Sequence, residues 1–227
     1  ETQHDTAPGE KVVQALVDLL GKAWELRPVL WGEFIQEQKQ LIRLTEQQYR
    51  VLDVLNRQRR ALICGCAGSG KTMLAAEKAT RLARQGFHVL LTCFNKNLAT
   101  DLRARLKPSA DLDIVHFHGL CYKLAEQANV LPVKQEDEDA FFAHELPEAL
   151  MKATELLEVR YDAIVVDEGQ DFQEHWWVPL QNLLRDLDCG ILYIFFDDNQ
   201  RLYVQRSAFP IQQEPYPLTV NCRNTQN

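Results

Sequence analysis

Residues Gly65–Thr72 read GCAGSGKT, the pattern G-x-x-x-x-G-K-[ST], between an apolar run, ALIC, and a helical one, MLAAEKATRLARQ. In a strand–loop–helix setting such glycines let backbone N–H groups and the helix N-terminus converge on phosphate oxygens. Lys71 would then reach the β- and γ-phosphates, and the Thr72 hydroxyl would ligate Mg²⁺. Outside that setting the same letters are only a glycine-rich turn. Gly65, Gly68, Ser69, Gly70, Lys71 and Thr72 are therefore the candidates for holding ATP.

A second stretch, VVDEGQDF (Val165–Phe172), drives an apolar, strand-like run into three acids and a glutamine. Packed carboxylates repel one another unless solvent or a cation separates them, so the stretch is either a solvated turn or a metal site. A phosphate loop needs a Mg²⁺-holding acid at the end of another buried strand. Asp167 fits that place beside Thr72, and Glu168 fits as the group that orients or deprotonates water.

Both loops need a scaffold that delivers strand ends to one edge. The strand-like runs RALIC (60–64), HVLLTCF (88–94), LDIVHF (112–117), DAIVV (162–166) and GILYIFF (190–196) alternate with helical patterns. Runs apolar on both faces and separated by helices predict an α/β fold, a parallel sheet flanked by helices. Val12, Val13, Leu16, Leu19 and Leu20 recur at helical spacing before Pro28, which predicts a helical extension over residues 1–43 with a second helix over Val29–Ile42. The acidic KQEDEDAFFAHELPEAL stretch reads as a surface helical insertion, and RSAFPIQQEPYP as an irregular, proline-marked linker.

With 227 residues, 46% apolar and 25% charged, the chain can bury a full core and gives no ground for disorder. No apolar run approaches the roughly 20 residues of a membrane helix, and ETQHDTAPGE lacks the regions of a signal peptide, so a cytoplasmic location with no membrane partner is expected. A net charge of −7 opposes non-specific coating of nucleic acid. Yet Arg81, Arg84, Lys96, Arg103, Arg105 and Lys107 oppose a single acid, Asp101, over residues 80–107, which allows a basic face. The six cysteines, mostly inside apolar runs and without CxxC spacing, read as reduced buried thiols.

DEGQD resembles the DE-x-QD motif of the UvrD/Rep-like superfamily 1 DNA helicases, and further motifs follow in the family's order. LTEQQ (44–48) is similar to the Q motif, which makes Gln48 the reader of the adenine edge. CFNKNLA (93–99) resembles the motif that contacts single-stranded DNA, and HFHGLCYKL (116–124) the next, usually Thr-Phe-His. FDDNQRLY (196–203) resembles GD-x-x-Q-x-I-Y, with Gln200 near the γ-phosphate, and LTVNCRNT (218–225) resembles L-x-x-NYR, whose arginine is Arg223.

The resemblance covers residues 44–227. It implies a RecA-like P-loop NTPase lobe over 44–207, the first (1A) lobe of such a helicase, then a linker and the start of a second lobe over 208–227. It also implies that Glu168, Lys71, Gln200 and Arg223 act in catalysis, and that Phe94, Asn95, Lys96, His118, Tyr203 and Arg206 contact single-stranded DNA, or DNA with a single-stranded tail. The family's second RecA-like lobe supplies an arginine that completes the ATP site, and that lobe is an expected partner outside this chain. LLTCFNKNLA and LTVNCRNTQN are similar to a subgroup often fused to an N-terminal nuclease-related (NERD) domain, with 1–43 as the connector from such an upstream domain.

Several positions depart from the family pattern. Cys222 replaces a tyrosine that commonly stacks on adenine, Gln205 a tryptophan that serves as a nucleobase platform, Phe196 a glycine and His116 a threonine. Lys71, Thr72, Asp167 and Glu168 are untouched by these changes, so they bear on base contacts more than on phosphate chemistry.

Outside the resemblance several residues have blander explanations. His116 and His118 invite a metal on one face of a strand tip, but a half-buried histidine needs only one hydrogen bond. Trp176 and Trp177 read as core rather than as stacking platforms. Phe94 alone would be core; followed by Asn95 and Lys96, and with the family resemblance of CFNKNLA added, it reads as a nucleic-acid contact. The acids of 136–139 read as a solvated helix start.

The function expected is an ATPase lobe that couples Mg²⁺-ATP hydrolysis to strand movement. The alternative is an ATP-dependent regulatory module that gates an attached nuclease without unwinding. A small-molecule kinase shares the phosphate loop but would not carry DEGQD, DDNQ and NCRN in series.

Overall fold

A computed structural model describes residues 49–106, 108–133, 137–197 and 209–218. The helical extension, Gln48, Gln200, Tyr203, Arg206, Cys222 and Arg223 lie outside the described residues.

Six strands form one sheet: β1 (Arg60–Cys64), β2 (Val89–Cys93), β3 (Leu112–His116), β4 (Ala163–Asp167), β5 (Ile191–Phe196) and β6 (Tyr216–Pro217). Their order is β3-β2-β4-β5-β1-β6, and every neighbouring pair is parallel. The helices are α1 (Lys71–Arg84), α2 (Lys96–Leu106), α3 (Phe117–Gln127), α4 (Leu146–Leu156) and α5 (Trp177–Gln181). The α/β RecA-like fold follows from this arrangement.

All residues of β2, β4 and β5 are buried, as expected of central strands covered on both faces. Alternate side chains part to opposite faces. Ile63, Leu91, Val165 and Phe195 meet Leu74, Ala75, Ala79 and Leu82 of α1, whereas Leu62, Leu90, Ile164 and Ile194 share a core with Leu120 and Leu124 of α3 and Leu150 of α4. Each such leucine contributes about 1.5–3 kcal/mol by burial, so Leu74→Ala, at a side chain with no exposure, should cost about 2–5 kcal/mol.

The five strands predicted from sequence lie within a residue or two of where the runs placed them. Two expectations need correction. The proline-marked linker is not wholly irregular, because Tyr216 and Pro217 pair with Ile63 and Cys64 and the Leu218 N–H donates to the Cys64 carbonyl at 2.7 Å. The acidic insertion is not merely superficial: Asp137 caps its first turn, accepting from the Ala140 N–H at 3.0 Å, but Phe141, Leu146, Leu150 and Ala153 beyond it are core. Its first turn keeps Asp137, Glu138 and Asp139 in solvent, and Glu148 stays exposed on α4. The basic stretch is also less basic than its letters suggest, since Arg81 pairs with Asp53 and Glu77, and Arg105 with Asp101. No helix among the described residues is long and apolar enough to cross a membrane.

Candidate nucleotide site

The register aligns the C-terminal ends of the central strands. Cys64 lies opposite Phe196, and Cys93 opposite Asp167. Because β5 separates β1 from β4, the residue after β5 stands between the phosphate loop and the acids after β4. That residue is Asp197.

Gly68 (φ 83°) and Gly70 (φ 84°) take left-handed conformations that turn the 65–70 loop back over the start of α1. Gly65 is required for a different reason, because a Cβ there would lie 2.5 Å from the Ser69 Oγ. Lys71 is buried and its ammonium is fully engaged: Nζ donates to the Gly65 carbonyl (2.8 Å), the Cys66 carbonyl (3.1 Å) and Asp197 Oδ2 (3.2 Å).

Asp167 ends β4 with no exposure to solvent, and neither carboxylate oxygen accepts a conventional hydrogen bond among the described residues. Burial raises its pKa to about 7 and the neighbouring Glu168 adds to the rise, while the Thr72 hydroxyl, close enough to favour the charged form, and Lys71 oppose it. A buried carboxylate beside a helix-first-turn threonine hydroxyl, with lone pairs to spare, is the donor set a hard divalent cation takes. Mg²⁺ therefore fits at Thr72 and Asp167.

Glu168 follows in a left-handed conformation (φ 54°) that is uncommon for a residue with a side chain. Gln170 holds it, its Nε2 donating to Glu168 Oε2 at 2.6 Å. The same amide reaches the strand beyond: Gln170 Oε1 accepts from the Asp197 N–H at 2.9 Å. Gly169 lets this turn lie on β5, since a Cβ would come 2.5 Å from Ile194 Cγ2. A continuous chain of contacts thus runs Lys71, Asp197, Gln170, Glu168. Gln170 and Asp197 were not among the sequence candidates; both sit inside motifs that were recognised, yet what joins them is the strand order.

The nucleic-acid candidates gather at the end of β2. Phe94 is exposed, and so are Asn95 and Lys96. Asn95 already has a structural duty, because its Oδ1 caps α2 by accepting from the Asn97 (2.8 Å) and Leu98 (3.1 Å) N–H groups. His116 ends β3 and His118 lies in the first turn of α3, so they do not share a strand face as expected from sequence. Burial depresses the pKa of both, with Lys96 and Arg103 also depressing that of His116. Among the described residues no group of three or more histidine, cysteine or acidic side chains could hold a metal. Trp176 and Trp177 are core, each 2% exposed.

No curated protein matches the chain. A family model does, over residues 47–206, which take in the phosphate loop, Asp167, Glu168 and Asp197. The chain belongs to the AAA domain family, a P-loop NTPase domain found in UvrD/Rep-like helicases.

Proposed function

We propose that the chain is the nucleotide-binding lobe of an ATP-driven motor of the superfamily 1 helicase type, moving on single-stranded DNA. The observation that supports this best is the adjacency of the two candidate sites. Cys93 pairs with Asp167 in the sheet, so Phe94, Asn95 and Lys96 leave β2 beside Glu168, and Trp176, in the segment that follows Glu168, stacks on Phe94 with ring centroids 5.8 Å apart. A change in the acids after β4 can therefore reach a nucleic-acid surface through packed side chains.

In this mechanism the 65–70 loop and the start of α1 bind the triphosphate, and Lys71 exchanges Asp197 for phosphate oxygens. Thr72 and Asp167 would hold Mg²⁺, which when bound supplies counter-charge to the phosphates. Glu168, held by Gln170, takes the proton of the attacking water. Gln48, Gln200 and Arg223 would complete the nucleotide contacts, with a second RecA-like lobe as partner and an upstream nuclease-like domain as a further one. Motion of the strand follows from closing and opening of two lobes.

The test is linkage between the sites. A labelled single-stranded oligonucleotide, titrated with and without a slowly hydrolysed Mg²⁺-ATP analogue, should change affinity several-fold, and the oligonucleotide should change analogue affinity by the same factor. Independence of the two would overturn the motor assignment, and absence of oligonucleotide binding even in low salt would remove nucleic acid as the track.

A further inference from the structure

The segment between α3 and α4 carries an aromatic residue, Phe142, that the function above does not use. It lies in a single π-helical turn, Phe141–Glu145, a geometry that interrupts the regular hydrogen-bond ladder. The turn is docked on the segment after the acids: the Ala143 carbonyl accepts from Trp176 Nε1 at 2.9 Å and lies 2.7 Å from His175 Nε2. Phe141 goes into the core as a result, 3% exposed, while Phe142 stays 38% exposed.

Phe142 does not stand alone. Its ring meets the His118 imidazole edgewise at 5.3 Å, and Phe94 meets the same imidazole edgewise at 5.5 Å. Beneath them Trp176 stacks on Phe94 and packs edgewise on His118 at 4.9 Å. Two exposed phenylalanines are thus fixed around one histidine by a buried tryptophan, so little side-chain freedom is left to lose on binding. His118 Nε2 is buried without a hydrogen-bond partner among the described residues. Lys96 and Arg103, close enough to bear on His116 and through it on His118, supply the positive charge that phosphates seek.

Resting on the nucleic-acid reading above, we infer that Phe142 is a second base-stacking residue, which with Phe94 and His118 forms a platform for a nucleobase of a single strand. An apolar protein partner would leave the adjacent cations without counter-charge, and the uncharged aromatic faces suit bases of any sequence. The π turn is then what aims the ring. Burial keeps the imidazole neutral near pH 7, so this contact is a neutral one and the salt dependence comes from Lys96 and Arg103.

The experiment titrates a labelled oligothymidylate, and an abasic oligonucleotide of equal length, against wild type, Phe142→Ala, Phe142→Trp, Phe94→Ala and Lys96→Ala. Phe142→Ala should weaken oligothymidylate binding about 5- to 150-fold, the worth of one stacked base, and leave the abasic strand unchanged. Phe142→Trp should retain binding, which a merely structural role would not give. Phe142→Ala equal to wild type, with Phe94→Ala and Lys96→Ala both weakened, would overturn this inference and leave the proposed function standing. Absence of binding by wild type would overturn both.

Discussion

Asp197→Asn tests whether the Lys71–Asp197 ion pair competes with phosphate for the Lys71 ammonium. Lys71 Nζ and Asp197 Oδ2 are 3.2 Å apart with side chains only 5% and 6% exposed, so at an effective dielectric of about 20 their gross attraction is about 5 kcal/mol. Desolvation offsets much of that, but removing one partner strands the other, and a buried pair broken in this way costs about 3–5 kcal/mol. Asparagine keeps an acceptor, which recovers part; about 2 kcal/mol is the expected loss measured without added nucleotide. With nucleotide bound, Lys71 faces phosphate oxygens and loses little. The difference appears as affinity, about 5- to 30-fold tighter for Mg²⁺-ADP or an ATP analogue in Asp197→Asn, with a melting temperature some 4–8 °C lower without ligand. Isothermal titration and thermal melting read both quantities. Weaker nucleotide binding in Asp197→Asn would refute the reasoning, because it would make Asp197 a contributor to the bound state rather than a competitor of the phosphates.

Glu168→Gln keeps the side chain's shape and its contact with Gln170 but removes the base, so nucleotide affinity should stay within about twofold while ATP turnover in the two-lobed protein falls by 10²–10⁴, measured by phosphate release. Lys78, buried over the Tyr193 ring at 4.2 Å, has its pKa lowered to about 8 by burial first and Arg81 second. The unfolded chain therefore binds more protons between about 8 and the ordinary 10.5, and stability should rise with pH through that window. Lys78→Met should abolish the rise and raise the melting temperature below pH 8 by several degrees. A flat wild-type profile would discount the burial. Gly70→Ala places a Cβ at φ 84°, so it should lower stability by about 1 kcal/mol or more and weaken nucleotide binding, as seen by melting with and without Mg²⁺-ADP.

The parts legible in the sequence are those where local pattern and chemistry coincide. The central strands are apolar on both faces, so their runs stand out, and GCAGSGKT and DEGQD carry their own spacing. What could not be read depends on strand order. Gln170 and Asp197 are 27 residues apart and meet only because β5 lies between β1 and β4. β6 has two residues, one a proline, which is too short for any periodicity. The buried face of α4 was masked by the acids ahead of it, and the outward aim of Phe142 comes from a π turn that no residue pattern announces. Asn95 also caps its own helix through Oδ1, a duty that its motif does not announce.

The central claim is that Gly65–Thr72 and Asp167 form one Mg²⁺-nucleotide site. Titration of an ATP analogue into wild type and Asp167→Asn, each with Mg²⁺ and with chelator, tests it most directly. Wild type should bind more tightly with Mg²⁺, whereas Asp167→Asn should bind alike with and without it and should melt higher than wild type without ligand, since the desolvation of a buried carboxylate has been removed. An undiminished Mg²⁺ effect in Asp167→Asn would contradict the account.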